Sequence, residues 1–175
     1  KEIRGTLIKS VSSDPANPIL GEMWYNSTTG SQALKGMVSL TGQWASGGNL
    51  GTARYGLQGD GTQTSSFVAG GYPPLTATEE YNGSSWTASG AMGTSRYTFA
   101  ANGSQTAGLA FGGYNPGTAT ATVNAEEYNG SSWAEQNNIP TATSQNISVG
   151  TQTAALGFGG SPFSGTLKYD GTSWS

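Results

Sequence analysis

The sequence predicts an all-β fold: three successive four-stranded units preceded by a small β-hairpin segment. Three observations carry that expectation. Tryptophans recur at Trp44, Trp86, Trp133 and Trp174, with gaps of 42, 47 and 41 residues. Double glycines keep step with them at Gly70-Gly71, Gly112-Gly113 and Gly159-Gly160. So does a third landmark: Gly61-Thr62-Gln63-Thr64 returns as Gly103-Ser104-Gln105-Thr106 and again as Gly150-Thr151-Gln152-Thr153. Landmarks that share one phase, with a period of roughly 40–50 residues, mark a structural repeat. The 28 glycines among 175 residues weigh against long helices, because glycine weakens a helix interior.

The elements follow in chain order. Residues 1–43 form an N-terminal joining segment in which "EIRGTLIKSV", "GEMWYN" and "ALKGMVS" read as strands. A turn-rich linker, Ser12–Pro18, separates the first two, and "GQWAS" is a fourth strand-like run just beyond the third. Residues 44–175 hold the repeats, at 44–86, 87–133 and 134–174. In each, the first strand follows the arginine position, as in "RYGLQ" and "RYTFAA". The second ends in the double glycine, the third carries "EEY" or "LKY", and the fourth begins at the tryptophan. Asp60-Gly61 and Asn102-Gly103 are expected to turn the chain between strands one and two. Asn82-Gly83, Asn129-Gly130 and Asp170-Gly171 should do so between strands three and four, since these pairs tolerate the positive φ of tight hairpins. Tyr81 and Trp86 flank a four-residue loop, so their rings should meet across the ladder. Tryptophans held at one repeat phase are expected to pack between units.

Composition closes off several functions. The net charge is −3 and the seven basic residues form no cluster, which argues against nucleic acid and against an anionic membrane surface. No stretch approaches the roughly 18 apolar residues of a membrane helix. Without cysteine or histidine there are no disulfides, no thiol chemistry, no zinc site of the usual ligands and no imidazole triad. No metal and no cofactor is expected. The pairs Glu79-Glu80 and Glu126-Glu127 are carboxylates, but neighbours in a strand point to opposite faces. They recur at one phase, which marks a scaffold position, so no catalytic residue is assigned and the chain reads as a non-enzyme.

A double glycine after an apolar strand, then tyrosine, then tryptophan, then an arginine opening the next unit, resembles the kelch repeat. The resemblance runs from Trp44 to Trp174 and implies kelch-like blades of a partial or assembled β-propeller. The third unit departs from the pattern. Thr143 stands in place of the arginine and Leu167-Lys168 in place of Glu-Glu, which removes any arginine–glutamate pairing between blades there. The block "GEMWYNSTTGSQALKG", Gly21–Gly36, is similar to short hairpin segments of tail-fibre and other virion proteins of tailed bacteriophages. Units rich in "YNGSSW" and "YDGTSW" are similar to those of fibre-like proteins of marine and cyanobacterial phages. The resemblance implies a non-enzymatic tail-fibre or appendage component on the virion surface that contributes to host attachment. The alternative is a carbohydrate-binding propeller lectin of bacterial origin, with a stacking aromatic exposed in each blade.

The stretch after each double glycine varies in length, and varying loops on a repeated scaffold are where recognition is usually placed. Tyr72, Tyr114 and Asn115 begin two of these loops and are the candidate binding residues. Three blades do not close a ring that typically needs 4–8. Three solutions stay open: continuation in a longer polypeptide, assembly of further copies, or a degenerate extra blade from residues 1–50. The expected partners are other virion proteins or further copies of the chain, with a host-surface glycan or protein at the loops.

Overall fold

Residues 9–16, 23–28, 33–36 and 46–175 are described by a computed structural model. The chain divides into two units, Lys1–Ala45 and Ser46–Ser175. Among the described residues there is no helix.

In the N-terminal unit β1 (Lys9–Val11) pairs parallel with β2 (Met23–Asn26), and β2 pairs antiparallel with β3 (Ala33–Gly36). Within β2, Trp24 and Asn26 are buried while Met23 and Tyr25 are not, the alternation of a half-buried strand. Both buried side chains reach into the Ser12–Pro18 linker. Trp24 Nε1 and Asn26 Nδ2 donate to Asp14 Oδ1 at 3.1 and 2.8 Å. Trp44, expected as the first repeat landmark, lies outside the described residues, as does most of "GQWAS".

The C-terminal unit is three consecutive antiparallel sheets. The first is β4 (Gln58–Thr62), β5 (Ser65–Ala69), β6 (Thr78–Tyr81) and β7 (Trp86–Ser89), paired in chain order. The second is β8 (Ala100–Ser104), β9 (Ala107–Phe111), β12 (Ala125–Tyr128) and β13 (Trp133–Gln136). A two-residue-strand hairpin, β10 (Tyr114–Asn115) with β11 (Thr120–Ala121), is inserted in its long loop. The third sheet is β14 (Ile147–Thr151), β15 (Ala154–Phe158) and β16 (Thr166–Tyr169). Its fourth strand is begun by the Tyr169–Trp174 bridge and by paired hydrogen bonds between Lys168 and Ser175.

Both turn classes can be checked against residues. Between strands three and four the Asx residue closes the loop: Asn82 Oδ1 accepts from the Ser84 and Ser85 amides at 3.0 and 2.9 Å. Asn129 and Asp170 repeat this, and the same amides hold the Asp170 carboxyl below its ordinary range. The flanking rings meet, with centroids 4.9 Å apart for Tyr81–Trp86 and Tyr128–Trp133. Between strands one and two the expectation fails. Asp60-Gly61 and Asn102-Gly103 lie inside β4 and β8, and Gln63-Thr64 and Gln105-Thr106 make the turns. The polar pair is used across sheets instead. Asp60 Oδ2 accepts from the Gly103 amide at 2.9 Å, and Asn102 Nδ2 donates to the Thr151 carbonyl at 2.9 Å.

Sheets stack through their first strands, β4 beside β8 and β8 beside β14. One apolar cluster (Ala69, Met92, Phe99, Ala110) fills the first joint, and a second (Leu109, Phe111, Ile139, Ala155, Leu167 and neighbours) fills the other. Trp86, Trp133 and Trp174 are only half-buried; Tyr128 and Tyr169, the cross-strand partners of the last two, are the enclosed rings. Tyr128 donates to Glu80 of the preceding sheet, and Tyr169 donates to Glu127 at 3.0 Å. Burial, reinforced by the carboxylate, pushes the Tyr128 hydroxyl up to about 12 and raises Tyr169 as well.

The arginine–glutamate pair forms within a repeat rather than between repeats. Arg54 Nη2 meets Glu79 Oε1 at 2.6 Å and Arg96 Nη2 meets Glu126 Oε1 at 2.7 Å, both pairs with almost no exposure. Arg54 Nη1 also donates to the carbonyls of Gly70 and Ala77, and Arg96 Nη1 to those of Gly112 and Asn124. The other glutamate oxygen accepts from the Gly51 or Gly93 amide at 2.7 Å. In the third repeat Thr143 and Leu167 occupy both places, and both are buried. A buried ion pair is lost safely only when both members go, because one left alone is an uncompensated charge. Glu126→Leu alone should therefore cost about 3–5 kcal/mol in urea unfolding. Arg96→Thr/Glu126→Leu should cost less than the sum of its single changes by about 2 kcal/mol. Strict additivity would mean the pair is not coupled.

Candidate functional site

The two ends of the stacked sheets differ. One end carries only tight turns, at 63–64, 82–85, 105–106, 129–132, 152–153 and 170–173. The other carries every long connection: 70–77, 90–99, 112–124, 137–146 and 159–165. The double glycines open the first type of long loop. Both members have positive φ, 60° and 111° for Gly70-Gly71 and 66° and 98° for Gly112-Gly113. A Cβ on Gly70 would stand 2.5 Å from the Arg96 carbonyl, and one on Gly113 2.6 Å from Phe99 Cβ, so only glycine fits.

At this loop end four tyrosines form an unbroken row. Ring centroids are 5.3 Å apart for Tyr55–Tyr72, 5.6 Å for Tyr72–Tyr97 and 5.3 Å for Tyr97–Tyr114. The rings are tilted by 43–67° to one another. Backbone bridges hold them: Tyr55 exchanges hydrogen bonds with Tyr72, and Tyr97 with Tyr114. Tyr55 is 63 % and Tyr72 38 % exposed, and Tyr97 and Tyr114 are half-buried. Partial burial, then the neighbouring Tyr114, Tyr55 and Tyr72 hydroxyls, raise the Tyr97 hydroxyl above its ordinary range. In the third repeat the corresponding bridge joins Ser144 to Ser161, so the row stops there.

Of the residues singled out in the sequence, Tyr72 and Tyr114 are both in this row. Asn115 is not: its Oδ1 accepts from the Gly117 amide at 2.8 Å and closes the β10–β11 hairpin. Tyr55 and Tyr97 stand in the sequence only as the second residues of the strand-one runs "RYGLQ" and "RYTFAA". The signal for them was a spacing of 17 residues, shared by Tyr55–Tyr72, Tyr97–Tyr114 and Ser144–Ser161. Glu79 and Glu126 are occupied by arginine, and Glu80 and Glu127 by tyrosine hydroxyls, so neither adjacent pair converges. Among the described residues no group of three or more acidic, histidine or cysteine side chains stands where a metal could be held. Trp86, Trp133 and Trp174 open the last strand of each sheet at the opposite, tight-turn end.

The residue after the first member of each bridged pair, Tyr55, Tyr97 or Ser144, is left-handed: Gly56 (φ 63°), Thr98 (φ 51°) and Gln145 (φ 60°). Their backbones form a ladder across the repeats, Thr98 N to Gly56 O at 2.8 Å and Gln145 N to Thr98 O at 2.6 Å. A β-branched residue at positive φ is strained. The strained residue directly follows Tyr97, a central member of the tyrosine row.

A scan against protein-family models finds no match, and a search of curated proteins finds no relative.

Thr98→Gly should relieve the left-handed penalty of about 1–2 kcal/mol and lose part of that to the freer unfolded chain. A net gain of roughly 0.5–1 kcal/mol in the urea midpoint is expected. A loss would show that the Thr98 side chain contributes more than its backbone costs.

Proposed function

We propose that this chain is a non-enzymatic recognition module of a virion appendage, a tail-fibre-type protein displayed on the particle surface. In this reading its three sheets are kelch-like blades of a β-propeller, its loop end contacts a host-surface glycan, and its N-terminal segment joins it to the particle. The observation that carries the binding role is the four-tyrosine row at the end of the sheets where the variable loops gather. Neutral rings with hydroxyl edges suit a neutral saccharide chain, since aromatic bodies with polar tips give contact area at low ordering cost. Several copies on one particle would raise weak contacts by avidity. The kelch reading is supported by the repeated register and the Gly-Gly, Tyr and Trp spacing. The virion reading is supported by the likeness of Gly21–Gly36 and of the YNGSSW units to phage fibre segments.

The lectin alternative requires a stacking aromatic in every unit. The row instead runs continuously across two repeats and meets Ser144 and Ser161 in the third, which favours one extended ligand over one simple sugar per blade. A glycan array graded by chain length tests this. Binding should strengthen with oligosaccharide length, and Tyr97→Ala, at the centre of the row, should weaken it about tenfold, or about 1.4 kcal/mol. Equal binding of monosaccharides and oligomers would favour the lectin. No loss on Tyr97→Ala would remove the row as the site.

A further inference from the structure

The two joints between repeats follow one rule. The second glycine of a repeat donates its amide to the first core residue of the next: Gly71 to the Arg96 carbonyl at 3.0 Å, Gly113 to that of Thr143 at 2.7 Å. The glutamine of the next repeat donates back, Gln105 Nε2 to the Tyr81 carbonyl at 3.0 Å and Gln152 Nε2 to that of Tyr128 at 2.8 Å. At the first joint the tryptophan of the next repeat adds Trp133 Nε1 to Thr78 Oγ1 at 2.8 Å. At the second joint Ala125 replaces that threonine, and Trp174 Nε1 is buried without a partner.

Among the described residues, the same trailing face of the third repeat is uncovered. Ala100 opposite Phe111 in the second sheet is matched in register by Ile147 opposite Phe158 in the third. Ala100, Asn102 and Phe111 are at most 2 % exposed, whereas Ile147, Val149 and Phe158 are 62 %, 53 % and 37 % exposed. All three of these exposed positions are apolar. Gly159 and Gly160 already hold the joint conformation, with φ 65° and 107°, yet a Cβ on Gly159 would meet nothing within 4 Å. Thr166 restores the hydroxyl that Ala125 lacks, and it is exposed.

The first repeat carries the complementary leading face. Arg54 supplies the carbonyl, exposed Gln63 the amide and half-buried Trp86 the indole that the rule requires. Half-buried Val68 matches by repeat position the Gly157 on which Phe111 packs, where a Cβ would come within 2.6 Å of the Phe111 ring, so Phe158 can pack on Val68 only with its ring turned aside. We propose that the trailing face of the third repeat receives the leading face of the first repeat of a second copy of this chain, so that two chains close a six-sheet ring. The contact is head-to-tail, and such contacts close only when the rotation closes. Six sheets lie inside the usual range of 4–8, and nine from three copies do not. Lys168 stands where Glu80 and Glu127 accept tyrosine hydroxyls, so Tyr81 at this joint meets an ammonium in place of a carboxylate.

This inference builds on the propeller reading, and its test is independent of any glycan. Light scattering on the purified 175 residues should give twice 17.9 kDa at micromolar concentration. Val149→Asp, at an exposed position, should return the mass to that of one chain while circular dichroism keeps the β signal. Lys168→Glu should tighten the dimer about tenfold by restoring the carboxylate for Tyr81. The second variant decides the matter if the first does not fold. A wild-type mass of 17.9 kDa up to high concentration, as when residues 1–45 cover the face within one chain, would overturn the proposal. So would a dimer indifferent to both changes.

Discussion

Two consecutive positive-φ glycines at the end of each second strand set how closely neighbouring sheets approach. They let the chain reverse within two residues and bring a backbone amide onto a carbonyl of the next repeat. The reversal also turns carbonyls toward the arginine, at Gly70 and Ala77 and at Gly112 and Asn124, in partly or fully buried positions. Buried carbonyls need donors. Arginine supplies several at once from a planar fork, and a buried guanidinium then needs a carboxylate. Gly-Gly, Arg and Glu are thus one solution to one packing problem. The third repeat shows the neutral version, in which Thr143 Oγ1 donates to the Gly159 carbonyl at 3.4 Å and Leu167 fills the space of the glutamate.

The second glutamate of each pair has a different task. It points to the opposite face of its strand and receives the tyrosine of the next sheet. "EEY" is therefore a sentence about two directions: the first carboxylate holds its own repeat, the second holds the neighbour, and the tyrosine is held by the repeat before. Lys168 breaks the pattern in the third sheet, where it takes the place of Glu80 and Glu127.

The sheets and their order were legible because the repeat fixes phase, and phase fixes which residue faces inward. The Asx hairpins were legible because Asn and Asp close their own loops. The turn between strands one and two was misread at Asp60-Gly61, since the same dipeptide serves as well inside a strand, where Asp60 reaches across to the Gly103 amide. The enclosure of Tyr128 over Trp133 was not readable either, because both sit on one hairpin and only stacking against the preceding sheet distinguishes them. Half of the tyrosine row was found from loop positions. Tyr55 and Tyr97 precede a strand in the chain but lie beside a loop in space, a proximity created by the Tyr55–Tyr72 and Tyr97–Tyr114 backbone bridges.

The account stands on the glycine amides as joints between repeats, and native-state hydrogen exchange reads them one by one. Gly71 and Gly113 should exchange as slowly as the strand amides of β8 and β9, although both lie in loops, because freeing them requires neighbouring sheets to separate. Exchange at the rate of the exposed Asx loops, with the strands still protected, would show that the repeats are held by side-chain packing alone and would contradict the central role given to the double glycines.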